Sequence, residues 1–167
     1  MSESTPFVVF INGAPGAGKD FMAKTLCDRL DFTLLKMTNP MDSALKVLLG
    51  MTDAEYHFYR ETVKDVPDPR FEGKTFRQVL IAFSEDFCKP FFGDDFFGRR
   101  AADTIVDSPR NYVISDSGFR GEAVPIVEAV GSSNCLLVRL ESPGCTFAGD
   151  SRGAVRDIGC PELDFFN

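Results

Sequence analysis

The sequence predicts an α/β protein, a mostly parallel sheet with helices on both faces, and three observations carry that reading. Short apolar runs alternate along the chain with stripes of helical period. The first run, Phe7-Val8-Val9-Phe10-Ile11, leads into Gly13-Ala14-Pro15-Gly16-Ala17-Gly18-Lys19-Asp20 and then directly into a helical pattern. The third run, Tyr112-Val113-Ile114-Ser115-Asp116, ends on an acid. Ligands of such sheets bind outside the carboxyl ends of the strands, so the glycine stretch and Asp116 are expected on one edge.

The first run is β-branched and aromatic without alternation, as a central strand covered on both faces requires. After Lys19, the residues Met22, Leu26 and Leu30 recur at i+4 and predict a helix packed on the sheet. Residues 32–37 read as a second buried strand. From Thr38 to Gly73 the periodicity weakens. Leu45, Leu48 and Leu49 suggest one short helix ending near Gly50, and Thr52 to Val63 suggest another. Thr75-Phe76-Arg77-Gln78 has the form of a capping box, and Phe76, Leu80, Phe83 and Phe87 share one face, so a helix is predicted over 76–88, closed by Pro90 and Gly93. Asp94 or Asp95 caps a further helix with Phe97, Ala101 and Ile105 aligned. A helix over 121–130 stops at Gly131, a fourth strand follows over 135–140, and Leu163 to Phe166 form a short fifth. The polar, glycine-containing stretch between the last two strands, about 141–157, suits a lid; it carries Arg152 and Arg156, with Arg139 flanking it. One domain is expected over 1–167.

The glycine stretch satisfies G-x-x-x-x-G-K up to its last position. Glycines let the backbone curl so that successive N–H groups point inward at an anion, the next helix adds its positive dipole end, and Lys19 supplies a full charge to terminal phosphates. Gly13, Ala14, Pro15, Gly16, Ala17, Gly18, Lys19 and Asp20 are therefore the expected donor-nucleotide residues, with ATP as the nucleotide. Asp20 replaces the hydroxyl that usually touches magnesium. A carboxylate there is tolerable beside phosphates only if a metal screens it, so Asp20 and Asp116 are the expected Mg2+ contacts, directly or through water. Arg152, on a loop able to close, is the expected transition-state cation, with Arg156 and Arg139 near the donor.

Composition narrows the alternatives. With 18 basic and 25 acidic residues the net charge is −7, which disfavours a long nucleic-acid footprint built on counterion release. No run is apolar enough to span a bilayer and no signal-peptide core is visible, so a soluble cytoplasmic protein is expected. Five cysteines without a C-x-x-C pair suggest neither a zinc ribbon nor a redox motif. His57, the single histidine, reads as an exposed helix residue and leaves no catalytic triad.

Gly-Lys-Asp at 18–20, the stretch from Arg77 to Lys89 followed by Phe91 to Phe97, Asp116 with Arg120, and the lid-like Gly144 to Arg152 together resemble the phage deoxynucleoside monophosphate kinases, within the nucleoside and thymidylate kinase group of P-loop proteins. The resemblance implies a P-loop kinase-like core of about five parallel strands, ATP and Mg2+ as co-substrates, residence in the host cytoplasm, and an acceptor pocket built from helices at about 40–107. By the same resemblance Arg77, Arg99 and Arg120 are acceptor-phosphate residues and Asp86 a pocket residue. Two features depart from that pattern: Ser117-Gly118-Phe119 separates Asp116 from Arg120, and the chain stops at Asn167, where related kinases continue into a closing helix.

The leading functional expectation is transfer of the ATP γ-phosphoryl group to a deoxynucleoside monophosphate. A second is phosphorylation of 5-hydroxymethyluracil within DNA during phage thymidine hypermodification, with the same donor site. The third is a nucleotide-binding module without transferase activity.

Overall fold

The computed structural model describes residues 5–150 and 152–167. The chain divides into two compact units: residues up to Met37 together with Phe97–Asn167, and Thr38–Phe96.

The first unit is the sheet. Its strands are β1 (Val8–Gly13), β2 (Thr33–Leu35), β3 (Tyr112–Ile114), β4 (Cys135–Glu141) and β5 (Glu162–Phe166), in the order β2-β3-β1-β4-β5. Every pairing is parallel, with Val8 beside Tyr112 and Cys135, and Leu140 beside Phe165. All six residues of β1 are buried. Successive side chains face opposite ways, so both faces of the sheet are covered, as the unbroken apolar run requires.

On one face Val9, Ile11, Val113, Val138 and Leu140 pack with Ala17 and with Ala23 of α1 (Lys19–Leu30), while Met22 and Leu26 lie against the cluster. Each fully buried Phe, Ile or Leu adds roughly 1.5–3 kcal/mol relative to exposure, and β1 alone contributes Phe10 and Ile11. Helices α6 (Phe96–Asp107) and α7 (Arg120–Val130) approach each other closely at Gly98. A Cβ there would lie 1.9 Å from the carbonyl oxygen of Glu122, which only glycine avoids.

β5 is an exposed edge strand. It is tied to β4 by Arg139, which pairs with Glu162 and, at 2.6 Å, with Asp164. All five cysteines are free thiols, and no helix among the described residues is long and apolar enough to cross a membrane.

The second unit comprises α2 (Asn39–Leu48), α3 (Asp53–Glu61), α4 (Phe76–Ile81) and α5 (Lys89–Phe92). Tyr56, Tyr59, Phe71 and Phe76 form its aromatic core, with centroids 5.4 to 5.7 Å apart. The buried phenols find acceptors: Tyr56 Oη donates to Asp42 at 2.7 Å, and Tyr59 Oη to Asp68. Burial, with that bond to Asp42 next, pushes the Tyr56 phenol well above its ordinary value. Helices α3 and α4 start with reciprocal caps, Thr52 with Glu55 and the expected Thr75 with Gln78. His57 is exposed on α3.

The helix expected over 76–88 does form but does not stop at Pro90. Residues Ala82–Cys88 wind as a π-helix, and the path continues through α5 to Gly93, whose φ of 101° ends it. Proline is accommodated because it falls in the first turn of α5, where a missing N–H costs least. The wider turn also breaks the expected stripe. Phe76 and Leu80 are buried, whereas Phe87 is about half exposed and stacks on Phe83 and Phe91, and Phe92 stacks on Phe96.

Candidate active site

The loop expected to bind phosphate runs from the end of β1 into α1 and turns on Gly16 and Gly18, at φ 82° and 95°. These left-handed positions let the chain fold back, with the Ala17 N–H donating to the Ala14 carbonyl at 3.2 Å. Gly13 lies so close to β4 that a Cβ would stand 2.8 Å from the Leu140 carbonyl oxygen. Lys19 Nζ bridges the carbonyls of Gly13 and Ala14, at 2.6 and 2.8 Å. Burial, and then the charge of Arg152, lower the Lys19 pKa. A polyphosphate bound at the loop would relieve that unfavourable setting of the ammonium.

Asp20, the second residue of α1, accepts from Lys36 Nζ at 2.8 Å and from Ser115 Oγ at 2.9 Å. Lys36 Nζ also donates to Ser115 Oγ at 2.6 Å. Burial opposes ionisation of Asp20, but the Lys36 and Ser115 bonds hold its carboxyl below the ordinary range. Asp116 Oδ1 accepts the Met37 N–H at 3.1 Å. Both carboxylates are therefore held by consecutive residues leaving β2.

These donors fit a hard divalent cation: two carboxylates and a hydroxyl, all oxygen, on one sheet edge. Among the described residues no three His, Cys, Asp or Glu side chains form a closed cage. Mg2+ typically takes one or two carboxylates and completes its shell with water and phosphate oxygens, so Asp20 and Asp116 suit it. When bound, it would neutralise phosphate charge.

Arg152 folds onto Asp150, with Nη2 to Oδ2 at 2.7 Å, and its side-chain carbons cover Gly118, where a Cβ would meet them at 2.5 Å. Asn12, 2% exposed, secures the same region. Its Nδ2 donates to the carbonyls of Ser117 and Gly153, at 2.8 and 3.0 Å, and its Oδ1 accepts the Val155 N–H at 3.0 Å. The end of β1, the turn after β3 and the stretch around Gly153 and Val155 are thereby joined by one amide. Beside the loop lies a cleft of about 570 Å³ lined by Ala14, Leu140, Pro143, Cys145, Phe147 and Phe166.

Each of the remaining expected residues has its own local setting. Arg139 is engaged by Glu162 and Asp164, and Arg156 is exposed near them. Arg120 Nε donates to the Asp157 carbonyl at 3.0 Å. In the second unit Arg77 pairs with Asp65, and Asp86 is exposed on the π-helix. Arg99 is exposed on α6. Lys36, Ser115 and Asn12 were not singled out by their sequence context. A lysine inside the run Phe32 to Met37, a serine just before the strand-end acid, and an asparagine after an apolar strand run were the available signals.

No protein-family model matches the chain. Over 149 residues, 82% of this chain, it is 28% identical to 75% of an Acanthamoeba polyphaga mimivirus protein named "Putative deoxynucleotide monophosphate kinase". A segment of 60 residues, 36% of this chain, is 42% identical to "Adenylate kinase 8" of Xenopus laevis, of which it spans 12%. Among solved structures, a "putative kinase" from Chloroflexus aurantiacus superposes with a TM-score of 0.49 at 15% identity, covering 97% of this chain and 85% of that one. Shikimate kinase from Bacteroides thetaiotaomicron gives 0.33 at 14% identity, covering 81% and 57%. The chain is thus similar over most of its length to a viral protein named as a nucleotide kinase.

Proposed function

We propose that the protein transfers the γ-phosphoryl group of ATP, with Mg2+, to a free deoxynucleoside monophosphate. The observation that carries the reading is the loop itself: two left-handed glycines, and a lysine ammonium held at the loop mouth by the Gly13 and Ala14 carbonyls. Residues 13–19 hold the donor phosphates, and the cleft beside Ala14 and Phe147 takes the donor base and sugar. Asp20 and Asp116 position the metal. Arg152, released from Asp150 by the arriving phosphates, neutralises charge in the transition state, and Arg139 and Arg156 flank the donor. Phosphoryl transfer asks the protein for position and charge rather than for covalent chemistry, and this site supplies both.

For the acceptor, the name of the mimivirus relative and the net charge of −7 support a small nucleotide. The acceptor-binding candidates are Arg99 and Arg120 in the first unit and Arg77 and Asp86 in the second. Base stacking would use the exposed rings of Phe87 or Phe91. Acceptor binding measured by calorimetry distinguishes this from the reading in which the acceptor is 5-hydroxymethyluracil in DNA. A free monophosphate should bind with modest salt dependence, and Arg99→Ala should weaken it by about tenfold or more, as loss of a charged phosphate contact does. Binding of duplex DNA that collapses with salt, with no binding of free nucleotides, would transfer the proposal to the DNA acceptor.

A further inference from the structure

A polyphosphate entering the loop meets a carboxylate, Asp20, at a position where phosphate loops usually present a neutral hydroxyl. The fold surrounds that carboxylate in a particular way. Lys36 Nζ stands 2.8 Å from Asp20 Oδ1 and 2.6 Å from Ser115 Oγ, and Ser115 Oγ donates to the same Asp20 oxygen at 2.9 Å. The triangle is closed by three separate elements: the start of α1, the exit of β2 and the exit of β3. Ser115 is 2% exposed and fixed in the sheet, whereas the Asp20 side chain is 82% exposed. A pair this open adds little to stability. Its cost in ordering a lysine side chain is better explained by what the charge does to a ligand.

We propose that Lys36 is a positioning residue for donor binding: it neutralises Asp20, with Ser115 holding the ammonium in register, so that the loop presents the net positive charge of Lys19 to the polyphosphate. Asp20, Lys36 and Ser115 then act as one neutral, hydroxyl-bearing unit in place of the missing loop hydroxyl. Without Lys36 the carboxylate repels the incoming phosphates directly. This inference rests on reading the loop as a polyphosphate site and is independent of the acceptor.

The test is a double-mutant cycle read as ADP affinity, by calorimetry in the presence of a chelator so that neither metal nor turnover contributes. Lys36→Ala should raise the Kd about tenfold, the scale of one partly screened charge a few ångströms from the phosphates. Asp20→Ser should bind ADP at least as tightly as the native protein. The double variant should return to within about twofold of the native Kd. Lys36→Arg should retain most of the affinity, because it keeps the charge. If Lys36→Ala lowers the thermal midpoint, Lys36→Met, which keeps the aliphatic stem, takes its place in the cycle.

An equal loss in the native and Asp20→Ser backgrounds would overturn the inference, since a merely structural lysine costs the same in both. So would unchanged affinity in Lys36→Ala. A native protein that binds no ADP would remove the loop reading and this inference together. One that couples as described yet transfers phosphate to no nucleotide would defeat only the proposed acceptor.

Discussion

Lys19→Ala is expected to reduce phosphoryl transfer by at least about 10³-fold, the scale at which loss of a preorganised charge on a transferring phosphoryl group acts. The ammonium is held at the loop mouth by the Gly13 and Ala14 carbonyls, where terminal phosphates would draw it from those acceptors. Its charge acts where negative charge shifts during transfer, so turnover should fall along with nucleotide affinity. Stability should change little. The side chain gives up two hydrogen bonds at a partly open site, about 1–2 kcal/mol in all, while Ala17, Ala23 and the strand residues beneath remain packed. Initial rates of ADP release, alongside a thermal midpoint lowered by only a few degrees, check both halves of the expectation. Native turnover in this variant would remove the loop from the chemistry.

Asp116→Asn should lower magnesium-dependent turnover by about 10²–10³-fold and leave ATP affinity, measured without metal, within about twofold. Asparagine keeps an oxygen to accept the Met37 N–H, so the join between the ends of β2 and β3 survives. What is lost is the negative charge. Equal losses of turnover and of metal-free affinity would make Asp116 a structural residue of the strand end. The contrast with Lys19 is diagnostic, since on the proposed reading the lysine would act on phosphate whether or not metal is present.

Much of the sheet unit was legible because local and global signals agree there. The unbroken run of β1, the glycines after it and the i+4 stripe of α1 each describe one element and also fix the neighbouring one. The Thr75 and Gln78 cap was legible for the same reason, since both partners lie within one turn. The path beyond Ile81 was not. Pro90 ordinarily ends a helix, and nothing local announces that a π-helix will carry the chain past it. The same turn redirected Phe83 and Phe87 out of the stripe shared by Phe76 and Leu80.

At the candidate site, the backbone cradle was readable and its electrostatic setting was not. Lys36 and Ser115 reach Asp20 across 16 and 95 residues of sequence, and only the strand order brings their ends together. Asn12 spans 105 and 141 residues with one amide. Nothing near Arg139 in the sequence announces the two carboxylates of the neighbouring strand that hold it. Contacts of this kind depend on register, which composition and spacing do not encode.

The most direct measurement is the fate of labelled γ-phosphate when the protein is incubated with ATP and Mg2+ and offered, separately, each free deoxynucleoside monophosphate and duplex DNA containing 5-hydroxymethyluracil. Label should appear in at least one deoxynucleoside diphosphate, with none above background in the DNA. Label confined to the DNA, or release of inorganic phosphate with no labelled acceptor, would contradict transfer to a free nucleotide.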